Sequence, residues 1–83
     1  MTRLARNPRQ LGTIIQRARK AQGLNQTDLG AKAGLRQETV SLIENGNPAT
    51  RLETILAVLA ALDLELRIAP RTKGSAADIE AIF

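Results

Sequence analysis

Gln37, Ser41 and Asn45 stand four residues apart in the stretch QETVSLIEN, and on a helix that spacing stacks all three on one face. Their amide and hydroxyl groups both donate and accept hydrogen bonds, which is the equipment needed to read the edges of base pairs. Glu38 and Leu42 lie on the shoulder of this face, and Arg36 stands at its entrance. Val40 and Ile43 fall together on another side, with Leu35 entering from a turn, so that side faces a core. A helix of about nine residues is roughly 13 Å long, a size that fits a DNA major groove. Other chemistry has little to work with. The chain has no cysteine and no histidine, which excludes disulfides, thiol chemistry, imidazole acid–base catalysis and the usual zinc sites. One Phe and no Trp or Tyr leave almost nothing on which single-stranded bases could stack. No nucleophile–base pair, metal-ligand cluster or phosphate loop is present, so the expectation is a binding protein with no metal and no cofactor, not an enzyme.

The elements that hold this face are legible on either side of it. Asn7-Pro8-Arg9-Gln10 starts a first helix, with Asn as N-cap, Pro at the first position and Gln three residues after the cap. That helix runs to about Gln22, with Leu11, Ile14 or Ile15, Ala18 and Ala21 inward, and Gly23 ends it. Asn25 caps a second helix with Asp28 at the capping-box position, and Leu29 and Ala33 are its core positions. Gly30 is a poor helix former, costing about 1 kcal/mol against Ala, which the close approach of another helix would explain. Gly34 supplies the turn into a third helix over about Gln37 to Glu44, which Asn45-Gly46-Asn47-Pro48 stops. Thr50-x-x-Glu53 reads as a second capping box opening a fourth helix, about Arg51 to Leu62. Its wide stripe of Leu52, Ile55, Leu56, Leu59 and Leu62 predicts burial on more than one side, hence a partner surface. Leu64-Glu65-Leu66-Arg67-Ile68 alternates as a strand does. A lone strand leaves its backbone unpaired, so a homodimer sharing a two-stranded antiparallel ribbon is expected.

At 83 residues the chain makes one small domain, read as residues 1–69, followed by a tail over residues 70–83. Residues 1–36 carry eight Lys/Arg against one acid, whereas residues 37–83 carry four against seven. A basic half and an acidic half fit a protein with two partners, the basic part meeting a polyanion. The longest apolar run, Ile55 to Leu62, is eight residues, far short of the roughly 20 needed to span a bilayer, and the N-terminus has no apolar signal core. A cytoplasmic, nucleoid-associated protein is therefore expected. In the tail, Ile79, Ile82 and Phe83 are apolar beside Asp78 and Glu80, which suits an anchor for a partner groove, a degradation handle or a plain frayed end.

Taken together, Gln26, Gly30, Gly34, Val40 and Ile43, in GLNQTDLGAKAGL and TVSLIENG, resemble the helix-turn-helix pattern of the Cro/C1-type (Xre) DNA-binding family over residues 9–62. The resemblance implies an all-α, four- to five-helix domain, to which the reading above adds a C-terminal strand forming an intersubunit two-stranded sheet. Its third helix would lie in the major groove, which gives base reading to Arg36, Gln37 and Ser41. Gln37 suits adenine N6/N7, Arg36 guanine O6/N7 and Leu42 a thymine methyl, while Glu38 could accept from cytosine N4. Gln26, Asn45 and Asn47 would touch phosphate, helped by Arg9, Arg17 and Lys20. Arg19 and Glu44 match positions that form a structural ion pair between the first and third helices of the family. Two departures stand out: Gly30 where the family usually has Ala, and Arg36 where it often has a Ser or Thr cap.

The C-terminal half, RLETILAVLAALDLELRIAPR, with the NPRQLG start and short tail, resembles HipB-type antitoxins. That resemblance implies dimerisation through the strand, with Leu59, Leu62, Leu64, Leu66 and Ile68 at the interface. It also implies a palindromic double-stranded operator in the protein's own promoter and a HipA-like serine/threonine kinase toxin as partner, which Ile79, Ile82 and Phe83 would hold. The competing expectation is a stand-alone Xre-type transcriptional regulator without a toxin partner.

Overall fold

A computed structural model describes residues 3–71. Four helices follow in order: α1 (Pro8–Ala21), α2 (Gln26–Ala33), α3 (Gln37–Glu44) and α4 (Leu52–Ala61). Each starts where a local signal allows it. The Asn7 side chain accepts from the Gln10 amide at 2.8 Å, and Pro8 occupies the first turn of α1. Asn25 and Asp28 form a reciprocal capping box, each side chain accepting the other's backbone N–H. All four helices stop by one device, in which a backbone amide just past the helix end donates to the carbonyl five residues back. The bonds are Leu24 to Arg19, Leu35 to Gly30, Asn47 to Leu42 and Leu64 to Leu59. The residue before each of these amides has positive φ. Three are glycines, and the fourth is Asp63 at 59°.

The second capping box is not formed. The Thr50 hydroxyl donates to the Asn47 carbonyl at 3.3 Å instead, and Arg51 takes the N-cap position without a side-chain cap bond. The helix therefore begins one residue later than the Thr50–Glu53 spacing requires, and Glu53 falls in the wrong place to reach back.

One residue or more from every helix meets in a single aliphatic core of Ile15, Leu29, Val40, Ile43, Val58 and Leu59, closed by Leu62 after α4. The choice between Ile14 and Ile15 falls to Ile15, which is fully buried, while Ala21 is exposed and leaves the inward stripe of α1. Leu59 and Leu62 are 5% and 1% exposed within one protomer, so they pack this core and have no surface to offer a second copy. Leu52 and Leu56 on α4 behave oppositely, at 63% and 42% exposed. The cause is the wide apolar stripe of α4, only one edge of which the other three helices cover.

Residues 64–71 follow α4 without regular secondary structure, and the described residues hold no strand. The alternation there gives exposed Leu64, Leu66 and Ile68, with an exposed Arg67–Glu65 ion pair at 2.8 Å between them. The strand expected over residues 64–68 is not formed in the single protomer, where nothing among the described residues supplies a ladder partner. Ile79, Ile82 and Phe83 lie outside the described residues.

Candidate nucleic-acid interface

The outward face of α3 is built from its first residue. Arg36 is the N-cap, with extended backbone and no side-chain cap bond, so its exposed guanidinium is carried at the mouth of the helix and not folded onto it. Gln37 and Glu38 follow, both exposed, and Glu38 lies in the first turn where a carboxylate suits the helix dipole. Leu42 keeps 53% of its surface in solvent, and Ser41 is half-buried. Asn45 donates from Nδ2 to the Ser41 carbonyl at 2.9 Å and approaches the Ser41 hydroxyl at 3.4 Å, so these two side chains form one unit at the end of the helix.

Behind this face lies a buried charge pair. Arg19 of α1 meets Glu44 of α3 in a fork, Nε to Oε2 at 2.6 Å and the second guanidinium nitrogen to Oε1 at 2.9 Å. A third Arg19 N–H donates to the Leu24 carbonyl at 2.8 Å. The two side chains are 9% and 1% exposed, and among the described residues no buried side-chain nitrogen or oxygen lacks a partner. Burial alone would raise the Glu44 carboxyl. Hydrogen bonds from Arg19 and Gln26, with the charges of Arg19 and Lys20, outweigh it and hold the group below the usual carboxylate range. The bond to Glu44 likewise holds the Arg19 guanidinium above its ordinary value, against the effect of burial.

The pair reaches the surface through amides. Gln26, the first residue of α2, donates from Nε2 to Glu44 Oε1 at 3.2 Å and accepts at Oε1 from Gln37 Nε2 at 2.5 Å. Gln26 therefore stands beside Gln37, half-buried, with one N–H of its amide left over.

Cations frame the same side. A Cβ on Gly46 would lie 2.8 Å from Arg9 Cα, so the loop after α3 presses on the first turn of α1 and sets Arg9 beside the segment carrying Asn45 and Asn47. Asn47 accepts the Ala49 amide at Oδ1, which fixes the loop and leaves its Nδ2 as a donor. Arg9 and Arg17 line one shallow groove of about 330 Å³ with Arg3, Gln10 and Thr13. Lys20 is exposed in the last turn of α1.

Three contributors escaped the sequence analysis. Gly12 is buried, and a Cβ there would lie 2.6 Å from the Glu44 carbonyl oxygen and closer still to that of Ile43. The close helix–helix approach is thus at Gly12, whereas Gly30 is needed because a Cβ would lie 2.6 Å from the Leu35 carbonyl of the turn. Gln22 ties α1 to the end of α4 through the Leu62 carbonyl at 2.9 Å. Arg51 is exposed at the start of α4 and lines a second shallow groove with Leu42 and Asn47. A glycine in the middle of a helix was the one signal available for Gly12.

A helix-turn-helix family model matches residues 15–68. The chain is 40% identical over 57 residues to the uncharacterized HTH-type transcriptional regulator y4dL of Sinorhizobium fredii, covering 69% of this chain but 29% of that protein, so it spans less than a third of that relative's length. It is 30% identical over 69 residues to antitoxin HipB of Escherichia coli K12, covering 83% of this chain and 78% of HipB. Among solved structures, HipB in a HipB–O4 20mer complex superposes with a TM-score of 0.77 at 29% identity, over 83% of this chain and 97% of that one. A chain of the HipA–HipB–O2–O3 complex gives 0.76 at 31% identity, again over 83% and 97%.

Proposed function

We propose that this chain, which belongs to the Cro/C1-type helix-turn-helix family, is a HipB-like antitoxin: a sequence-specific repressor that binds a palindromic operator of its own operon as a homodimer and neutralises a HipA-like serine/threonine kinase toxin. It is a binding protein of the cytoplasm, not an enzyme. The observation that carries this reading is the likeness to HipB over 83% of this chain and 78% of HipB, combined with an α3 whose outward face is exposed, polar and backed by a buried ion pair.

Base reading falls to Arg36, Gln37 and Ser41, with Glu38 and Leu42 flanking them. Gln26 has one amide N–H to spare for phosphate, and Asn45, Asn47, Arg9, Arg17 and Lys20 supply the rest, joined by Arg51, which is exposed beside Asn47. Residues 64–68 of two copies pair as an antiparallel ribbon, which gives the unpaired backbone its partners and covers Leu52, Leu56, Leu64, Leu66 and Ile68. Ile79, Ile82 and Phe83 act as the anchor on the toxin. A stand-alone regulator is the second reading, favoured by the 40% identity to y4dL, and co-purification with a kinase encoded beside the gene separates the two.

Gln37→Ala is expected to weaken binding to the cognate site by about 1–3 kcal/mol, roughly 5- to 150-fold, and to relax one base position in each half-site. Arg17→Ala is expected to weaken all sequences alike and to lower the slope of log K against log salt by about one. Titrations of both variants over a range of salt check this. Unchanged cognate binding by Gln37→Ala removes α3 from the groove.

A further inference from the structure

The hydrogen bonds linking Glu44, Gln26 and Gln37 carry a direction. A glutamine amide presents an acceptor at one corner and a donor at the other, and turning it over exchanges them. An ionised carboxylate only accepts. Glu44 is held ionised by the fork from Arg19, with its side chain 1% exposed. Gln26 must therefore point Nε2 at Glu44, which puts its Oε1 toward Gln37, and Gln37 must in turn point its own Nε2 back at Gln26. What remains at the surface is set by this order: the Gln37 Oε1 and the second N–H of its Nε2.

We infer that Glu44 is a positioning residue for base recognition, fixing through Gln26 which way the Gln37 amide faces and so fixing the base that Gln37 accepts. The inference rests on the assignment of α3 to the major groove made above. With the amide held in this sense, Gln37 offers an acceptor and a donor side by side, matching the N6 donor and N7 acceptor of adenine. Guanine presents two acceptors at the same edge and would face the Gln37 oxygen with its O6. A free amide could turn over and find a compromise, whereas an amide held by a buried charge cannot. Glu44 thus does two things with one carboxylate: it closes α1 on α3, and it imposes a sense on a surface side chain two hydrogen bonds away.

The test uses full-length protein and a panel of operator duplexes carrying each base pair at every position of one half-site. Glu44→Gln keeps the shape of the side chain but lets either corner of its amide face Gln26, and Gln26→Leu removes the middle link while leaving both arms of the Arg19 fork to Glu44. Both variants are expected to lose about five-fold or more of the preference for adenine at the position read by Gln37, with preferences elsewhere in the half-site retained. A purely structural role predicts a different result: weaker binding in proportion to lost stability, with every base preference intact. That result in Gln26→Leu, whose fold is expected to melt near the wild-type temperature, overturns the inference even if Glu44→Gln folds poorly. Failure of the underlying reading is distinct, since wild-type protein would then show no preference at that position to lose.

Discussion

Arg19→Met destabilises the domain by about 3–5 kcal/mol, the cost of stranding a buried carboxylate. Met keeps the length and most of the apolar stem of Arg, so the loss isolates the charge and its hydrogen bonds. Glu44 loses both arms of the fork, keeps only the bond from Gln26, and remains almost fully buried. For a chain of this size the melting temperature falls on the order of 20 °C. The pH dependence of the difference is the more telling part. In the wild type the folded-state pKa of Glu44 lies below its unfolded value, so the unfolded chain binds more protons, and the stability from this group is present above the ordinary carboxylate range and lost as pH falls through the folded value. In the variant the bond and charge of Arg19 no longer oppose the burial that favours the neutral acid, so the folded-state pKa rises and this pH-dependent stability is lost. Urea melts between about pH 4 and pH 7 should show the gap between the two proteins widening as pH rises. Parallel curves, or a cost under about 1 kcal/mol, would mean that the pair does not organise the α1–α3 interface.

Gly12→Ala is the second large effect, and its sign is the informative feature. In an ordinary helix interior the change stabilises by up to about 1 kcal/mol. Here the new methyl would sit 2.6 Å from the Glu44 carbonyl oxygen and 2.9 Å from its carbonyl carbon. Those are backbone atoms in the last turn of α3, so no rotamer change relieves the contact and the helices must separate. A cost of about 3 kcal/mol is expected. Because Arg19 lies two turns further along α1, separation also stretches the fork to Glu44. Chemical denaturation measures the first consequence and DNA titration the second. A variant as stable as the wild type would show that α1 and α3 are not pressed together at this point.

Much of this architecture was legible in the residues. The caps Asn7 and Asn25, the Gly34 turn and the bounds of α3 are local events with local signals, and they sit where the sequence placed them. The Arg19–Glu44 fork was anticipated only through family resemblance, because nothing in a single sequence says that residues 25 apart will meet. Two kinds of feature stayed hidden. The Thr50 box failed by one residue, since the loop carbonyl of Asn47 competes for the Thr50 hydroxyl and such competition is invisible in a spacing rule. The apolar stripe of α4 shows that one face is buried and another is greasy, but not which leucines go where: Leu59 and Leu62 fill the protomer, leaving Leu52 and Leu56 outside. The amide chain from Glu44 to Gln37 needed coordinates, because it joins the first residue of α2 to both ends of α3.

The two-fold arrangement of α3 helices is the core of the functional reading, and footprinting of purified protein on the DNA upstream of its own gene tests it most directly. The expected result is protection of a symmetric element with two half-sites about one helical turn, roughly 34–36 Å, apart, bound by two protomers. Protection of a solitary asymmetric element, or of none, would contradict it.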